Sequence, residues 1–223
     1  TRPIQMRVLV AAVTGWLVLL ALPAAAAYPE AVRGSGGAVA SAAPAATDAG
    51  LEMLAAGGNA VDAAVAAAFA VAVVEPNSNG IGGEGLMVIY LVRGRRAVAI
   101  DYRSTAPAGA SFPGRIPDSG PASAAVPGTV AGLGLALEKY GTLPLAQVLG
   151  PAIKLAADGF AVSPTLAGII LDQFEVLSKE KELAEVFCPD GLPLEAGDVL
   201  RNPGLAESLR KIAAGGRDVF YRG

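Results

Sequence analysis

Residues 57–76 read GGNAVDAAVAAAFAVAVVEP, with a long apolar run between two turn signals. Asn59 is a favoured N-cap residue, and Asp62 stands three positions later, where a negative charge suits the positive end of a helix. From residue 60 to residue 74 nearly every side chain is apolar, and most are alanine or valine. A helix that is apolar on all sides is buried, and its alanines let neighbouring helices approach closely. We therefore predict a buried central helix over 60–74.

The segments on either side of this helix predict more helices and one hairpin. Helices are expected over 45–56, 129–140, 145–158, 164–177, 178–187 and 203–215. Strands are expected over 38–43, 86–92 and 96–102, the last two as a hairpin. Pro151 predicts that the helix over 145–158 is kinked or divided in two. No closing element is expected after Asp218, and the pattern indicates one helix-rich α/β (α+β) unit.

The N-terminal residues predict a secretory signal peptide over 6–27. A basic start at Met6-Arg7 precedes an apolar run of about 15 residues and a small-residue end near Ala27, where cleavage is expected. Residues 1–5 lie upstream of this signal, and 28–223 form the exported part. The protein is then expected to be secreted or periplasmic. An uncleaved membrane anchor is the alternative, although the run is short for a bilayer span.

The composition excludes several kinds of chemistry within these 223 residues. There is no histidine, so no Ser-His-Asp triad, Cys-His pair or imidazole metal site can form. The single cysteine, Cys188, excludes an internal disulfide and a four-cysteine zinc cluster. A net charge of −3 argues against nucleic-acid binding.

Residues 80–85, GIGGEG, match the pattern G-x-G-x-x-G letter for letter. A dinucleotide site needs a strand before the glycines and a helix after them, so that phosphate meets a helix N-terminus. Here the predicted helix comes first and the predicted strand follows. We expect a tight loop that other chain segments approach closely, because glycine carries no side chain.

Arg103 is the main candidate for ligand binding. It stands at the end of the second hairpin strand, where a guanidinium can point into a cleft and bind a carboxylate through two hydrogen bonds. A structural ion pair, with Asp101 or Glu84, is an equally open alternative. Both carboxylates are possible acid/base groups, but their spacing does not indicate a glycosidase pair.

No hydroxyl in the chain is a convincing nucleophile. An N-terminal threonine can use its own α-amine as base, but Thr1 lies upstream of the signal peptide and is rejected. Ser104 and Thr105 have no histidine partner, so we expect them to serve as hydrogen-bonding groups in a loop.

Three groups of motifs together resemble gamma-glutamyltransferases (gamma-glutamyltranspeptidases). They are GGNAVDAAV at 57–65 with the loop at 80–85, DYRSTAP at 101–107, and VPGTVAG at 126–132 with AADGF at 156–160. The final DVFYRG at 218–223 is also similar to the family. The likeness runs from about residue 38 to residue 223 and covers the N-terminal part of the larger subunit.

This resemblance implies an N-terminal-nucleophile hydrolase with a four-layer αββα sandwich, of which this chain holds an incomplete part. Such enzymes are precursors that cut themselves into two subunits. The new N-terminal threonine of the small subunit attacks the gamma-glutamyl amide of a donor such as glutathione, and water, an amino acid or a peptide accepts the group. No catalytic residue is then expected here, since the threonine lies beyond residue 223, and the chain alone is expected to be inactive.

The resemblance also assigns a role to Arg103, which matches the arginine of the family motif R-E-T-A-P. That arginine binds the α-carboxylate of the gamma-glutamyl group. The sequence departs from the family at Ser104, in place of a glutamate, and at Glu84, in place of a glycine; either change can shift substrate preference. A cephalosporin-acylase-like amidohydrolase and a secreted, non-catalytic carboxylate-binding module remain as alternatives.

The expected partners are a gamma-glutamyl substrate and the small subunit of the same precursor. No metal or organic cofactor is implied. No nucleic acid is expected as a partner, and no membrane is expected after the signal is cleaved.

Overall fold

The computed structural model describes residues 31–111, 114–118 and 120–223. The signal peptide predicted over 6–27 and the upstream residues 1–5 lie outside the described residues. Residues 31–35 belong to a separate N-terminal unit and hold no helix or strand. Every element named below belongs to the unit Gly36–Gly223.

Nine α-helices lie within the described residues: α1 Pro44–Ala55, α2 Ala60–Val74, α3 Thr129–Tyr140, α4 Leu145–Asp158, α5 Pro164–Asp172, α6 Phe174–Leu177, α7 Lys181–Phe187, α8 Pro203–Gly215 and α9 Arg217–Arg222. The strands form two antiparallel pairs: β1 Gly85–Leu91 with β2 Arg96–Tyr102, and β3 Phe160–Ala161 with β4 Val199–Leu200. Two short 3-10 turns are Pro121–Ser123 and Pro189–Gly191. The described residues therefore form an α+β unit.

The central helix α2 has the bounds that the sequence predicts. The Asn59 side chain accepts hydrogen bonds from the backbone N–H of Val61 at 2.7 Å and of Asp62 at 3.2 Å. The Asp62 carboxylate accepts in return from the N–H of Asn59 at 2.7 Å, which completes a capping box. Eleven of the fifteen residues of α2 are buried, so the expectation of a helix buried nearly all round is confirmed.

Small residues bring α1 and α2 close together. Ala46 and Ala49 of α1 are buried against Ala70 of α2. A Cβ atom added to Gly50 would lie 3.0 Å from the carbonyl oxygen of Ala63, so a larger residue at this position would push the two helices apart. The alanines of this segment therefore allow the two helices to pack closely, as the sequence predicts.

The main core lies where α2 meets α3, α4 and α8, and the inner face of the β1–β2 hairpin adds to it. Its largest fully buried side chains are Met53, Phe69, Leu133, Leu149, Leu209 and Ile212. The hairpin contributes Ile89 and Ile100. A smaller core around α5 contains Val162, Leu166, Ile170, Leu194 and Leu200. The hairpin is thus fixed from one side by the helical core.

The opposite face of the hairpin is apolar and exposed. Leu86, Val88 and Tyr90 point outward from β1, with 60–74% of their surface accessible. Such side chains alternate with the inward-facing ones, as the period of a strand requires. Large contiguous exposed apolar patches are uncommon on monomeric proteins and mark sites that contact protein, membrane or ligand.

Several local predictions are wrong. Residues 38–43 are not a buried strand, because no described segment pairs with them and most of them are exposed. The helix expected over 164–177 is divided at Gln173 into α5 and α6, and the next helix begins at Lys181 rather than 178. The helix over 145–158 is a single helix that contains Pro151, so the division into two helices is excluded, while the kink stays a prediction. Residues 217–222 form the helix α9, although the sequence predicts no closing element there.

None of the helices in the described ranges combines the length and the apolar character needed to cross a bilayer.

Candidate functional site

The open end of the hairpin places Glu84 and Arg103 beside each other. The last residue pair of the β1–β2 ladder is Gly85 with Tyr102. The residues just beyond this pair therefore leave the sheet on two adjacent segments of the chain. Nη2 of Arg103 lies 3.0 Å from Oε1 of Glu84. Of the two ion-pair partners that the sequence left open, the structure therefore selects Glu84.

Asp101 has a different part in the site. Its Oδ1 accepts a hydrogen bond at 3.0 Å from the backbone N–H of Arg103, two residues further on. This is the geometry of an Asx turn, which fixes how the chain leaves the strand. Asp101 therefore sets the direction of the backbone at Arg103 and does not pair with its guanidinium.

Ser104 holds the second oxygen of the Glu84 carboxylate. Its backbone N–H donates to Oε2 at 2.7 Å, and its hydroxyl donates to the same oxygen. The hydrogen bond from the Ser104 hydroxyl has the largest effect on the pKa of Glu84 and lowers it. The hydrogen bond from the Ser104 backbone N–H and the positive charge of Arg103 also hold this pKa below its ordinary value. Glu84 is therefore ionised at neutral pH.

The loop that carries Glu84 is tied to the start of α3. The carbonyl oxygen of Gly83 accepts hydrogen bonds from the backbone N–H groups of Gly128 at 3.0 Å and Thr129 at 3.1 Å. These are N–H groups at a helix start, which have no partner inside the helix. The loop over 80–85 is thus a tight, anchored turn, as the sequence predicts.

The strand end that carries Arg103 is tied to the same helix. Tyr102 packs against Gly128 and Gly132, where an added Cβ atom would collide with the tyrosine. Burial raises the pKa of the Tyr102 hydroxyl. Both segments that leave the hairpin, the loop over 80–85 and the strand end at Tyr102, are therefore held against the N-terminal part of α3.

An open cavity of about 480 Å³ adjoins this strand end and has Arg103 in its lining. Residues of α9 also line it, and the hydroxyl of Tyr221 donates to the carbonyl oxygen of Pro127 at 2.8 Å and accepts from the N–H of Ala131 at 3.1 Å. These hydrogen bonds join α9 to the start of α3. The cavity also contains Arg217, Asp218 and Arg222, so its lining carries more positive than negative groups.

The guanidinium of Arg103 is suited to bind a carboxylate. Its side chain is 65% exposed, against 37% for Glu84. A guanidinium carries five N–H donors in a fixed plane. Within the described residues, Glu84 is the acceptor that its side chain contacts. The donors that remain can form a two-point contact with a small carboxylate-bearing ligand.

The described residues give little support for a metal site or a dinucleotide site. In the described ranges no group of three or more acidic, cysteine or histidine residues could hold a metal ion. The loop over 80–85 follows helix α2 and precedes strand β1, so the order of elements is the reverse of a dinucleotide site. The backbone of Thr105 pairs with Val126 in an isolated bridge, which is a structural role in the loop.

The described residues thus place an exposed arginine at the end of a hairpin, beside an open cavity. The model of one protein family, described as gamma-glutamyltranspeptidase, matches residues 46–223. The chain belongs to the gamma-glutamyltranspeptidase family.

Individual relatives agree with this assignment. The glutathione hydrolase proenzyme of Escherichia coli is 44% identical over 203 residues, which cover 86% of this chain and 35% of that protein. The acylase ACY 1 proenzyme of a Pseudomonas species is also 44% identical, over 85% of this chain and 37% of that protein. The crystal structure of Helicobacter pylori gamma-glutamyltranspeptidase superposes with a TM-score of 0.81 at 37% identity, and the match covers 87% of this chain and 58% of that one.

The chain spans about a third of the length of these curated relatives.

Proposed function

We propose that this chain is the N-terminal part of the large subunit of a gamma-glutamyltransferase or glutathione hydrolase. The complete enzyme would cleave gamma-glutamyl amides such as glutathione and pass the gamma-glutamyl group to an amino acid, a peptide or water. Family membership supports the proposal, as does the name of the Escherichia coli relative. The observation that carries it is the exposed guanidinium of Arg103, held at the strand end by Glu84.

In this proposal Arg103 binds the α-carboxylate of the gamma-glutamyl group. The remaining donors of the guanidinium would hold the two carboxylate oxygens, and this contact would place the scissile amide at a fixed distance. A lysine offers a single charged point and no planar pair of donors, so it would orient the substrate less well. Binding and orientation are the parts of the reaction that this chain would supply.

The bond-breaking groups would come from residues outside these 223. The resemblance implies a threonine at the N-terminus of the small subunit, which attacks the amide carbonyl while its own α-amine takes the proton. Hydrogen-bond donors would stabilise the oxyanion that forms. The exposed apolar face of β1 supports a structure in which further protein covers the hairpin, as in a four-layer αββα sandwich.

The experiment that tests this function uses the complete protein that the gene encodes. Purified protein is examined for two chains by denaturing electrophoresis and for release of p-nitroaniline from gamma-glutamyl-p-nitroanilide. We expect two chains and turnover that rises when an acceptor dipeptide is added. A single uncut chain without turnover would contradict the proposal and favour a non-catalytic carboxylate-binding module.

An amidohydrolase of the acylase type is the second candidate. It is favoured by one observation: the acylase proenzyme and the glutathione hydrolase are equally similar to this chain, at 44% identity each. Glutaryl-p-nitroanilide separates the two, because it differs from the gamma-glutamyl compound only by lacking the α-amino group. A higher kcat/KM for the glutaryl compound would support the acylase.

We also propose that the protein is exported, with cleavage near Ala27. N-terminal sequencing of the mature protein tests this, and we expect a start at or near residue 28. Retention of the segment 6–27 in the mature protein would support the uncleaved anchor instead.

A further inference from the structure

We propose that Glu84 is a positioning residue for Arg103 and that Ser104 holds Glu84 in place for this purpose. The inference rests on the proposed function, since it names what aligns the arginine for a substrate carboxylate. The three residues form a chain of contacts: Ser104 donates twice to Oε2 of Glu84, and Oε1 of Glu84 accepts from Nη2 of Arg103.

The contact differs from an ordinary surface ion pair. Exposed pairs contribute little because two flexible side chains must be ordered to make them. Here the Glu84 carboxylate is already held through Oε2, and the preceding residue, Gly83, is anchored to α3 by two hydrogen bonds. Glu84 is thus held in place by contacts that do not involve Arg103, and it can therefore orient the guanidinium.

The geometry also leaves room for a ligand. Glu84 contacts a single terminal nitrogen of the guanidinium, so the other donors are left for a second acceptor. Arg103 remains the more exposed partner, at 65% against 37%. An anchored carboxylate on one nitrogen restricts the rotation of the guanidinium plane, which is what two-point binding of a carboxylate requires.

The two departures from the family motif are thereby in direct contact. The family resemblance implies a glutamate at the position of Ser104 and a glycine at the position of Glu84. The structure joins the hydroxyl of the first to the carboxylate of the second. Together they act as one unit, and the effects of changing them are expected to depend on each other.

The test uses the complete protein with Glu84→Gln, Ser104→Ala and the double variant. The control is Asp158→Asn, which removes a carboxylate from an exposed pair of similar length with Lys154, at 2.8 Å. The first readout is the rate at which a dicarbonyl reagent modifies Arg103, followed by mass spectrometry. This readout needs no enzyme activity, so it tests whether Glu84 and Ser104 hold Arg103 even when the proposed function fails.

We expect Arg103 to be modified about fivefold faster in Glu84→Gln, because the carboxylate no longer shields and holds it. Ser104→Ala should give a smaller increase, and the double variant should be no faster than Glu84→Gln. The control should equal the wild type. An unchanged rate in both single variants would overturn the inference.

The second readout separates positioning from direct contact with the substrate. In Glu84→Gln we expect KM for gamma-glutamyl-p-nitroanilide to rise about fivefold with kcat within about twofold. KM for glutaryl-p-nitroanilide should rise by the same factor, since both compounds carry the carboxylate. A rise confined to the gamma-glutamyl compound would mean that Glu84 binds the α-ammonium group, and would overturn the positioning role.

Wild-type protein that fails to release p-nitroaniline from gamma-glutamyl-p-nitroanilide would contradict the proposed function alone. A wild type that is active while its Glu84 and Ser104 variants leave both KM and Arg103 modification unchanged would contradict the inference alone.

Discussion

Asp62 shows how one buried carboxylate can join two distant parts of the chain. It caps α2 through the N–H of Asn59, and it also accepts hydrogen bonds from the N–H and hydroxyl of Thr142 and from the N–H of Leu143, about 80 residues away. Burial raises its pKa, but these hydrogen bonds outweigh that effect and leave the pKa below the ordinary value. Asp62 thus holds the connection between α3 and α4 against the start of α2.

Asp62→Asn should destabilise the protein. An amide keeps one acceptor oxygen and turns an NH₂ group toward backbone donors, so buried N–H groups lose their partner. The expected loss is about 2–4 kcal/mol. Thermal unfolding of the complete protein measures the loss, and faster hydrogen exchange at the amides of Thr142 and Leu143 locates it. Asp172→Asn, an exposed helical aspartate, is the control; an equal effect in both variants would contradict this role.

The same carboxylate predicts a dependence of stability on pH. Because the folded-state pKa of Asp62 is lowered from 3.8, its contribution is fully present above that value. The contribution is lost as the pH falls below about 4 and through the folded-state pKa. Wild-type protein should therefore lose more stability than Asp62→Asn as the pH falls from 5 into the acid range. Thermal unfolding at each pH measures the two losses. Parallel curves would contradict the assignment.

Among the elements, the start of α3 is the support for the site. The hairpin end and the glycine loop both contact it, through Tyr102 and Gly83 respectively. Because both segments are held by this one helix, a substitution on the inner surface of α3 should shift the position of Arg103 without contacting Arg103 itself.

Gly132→Ala tests this support. A Cβ atom at Gly132 would collide with Tyr102, so we expect a loss of about 1–3 kcal/mol in stability and a rise in KM as the strand end shifts. Gly134→Ala is the matched control on the same helix, since nothing lies within 4 Å of its added Cβ atom. It should be neutral or up to about 1 kcal/mol more stable, because alanine favours helix. Thermal unfolding and KM are the measurements; equal behaviour of the two variants would contradict the prediction.

The elements that the sequence predicts well are those whose signals are local. The cap at Asn59 and the apolar run after it give α2 its correct bounds, and the hairpin follows from two apolar segments around a turn. The strand expected over 38–43 is wrong because a strand also needs a neighbouring chain, which the residue pattern does not reveal. The break at Gln173 is missed because the apolar pattern continues across it.

Across the whole molecule, the sequence predicts that Arg103 lies at a strand end and offers Glu84 as one of two possible ion-pair partners, but it does not predict the part played by Ser104. The contact between Glu84 and Ser104 joins residues 20 positions apart and depends on the register of the hairpin. In the same way, nothing local links Asp62 to residue 142.

The molecule as described is a helical core that supports one exposed hairpin. The inner face of the hairpin is buried through Ile89 and Ile100, while its outer face remains apolar and accessible. The proposed site lies at the edge between these two faces. In the proposed function, this edge binds and orients the substrate carboxylate, and protein that packs against the hairpin supplies bond cleavage.

The role of Arg103 is measured through KM for gamma-glutamyl-p-nitroanilide in the complete protein carrying Arg103→Lys. The loss of a two-point charged contact should raise KM at least about tenfold. Arg210→Lys, which changes an exposed ion-paired arginine on α8, should leave KM unchanged. An unchanged KM in properly folded Arg103→Lys protein would contradict the central claim that Arg103 binds the substrate carboxylate.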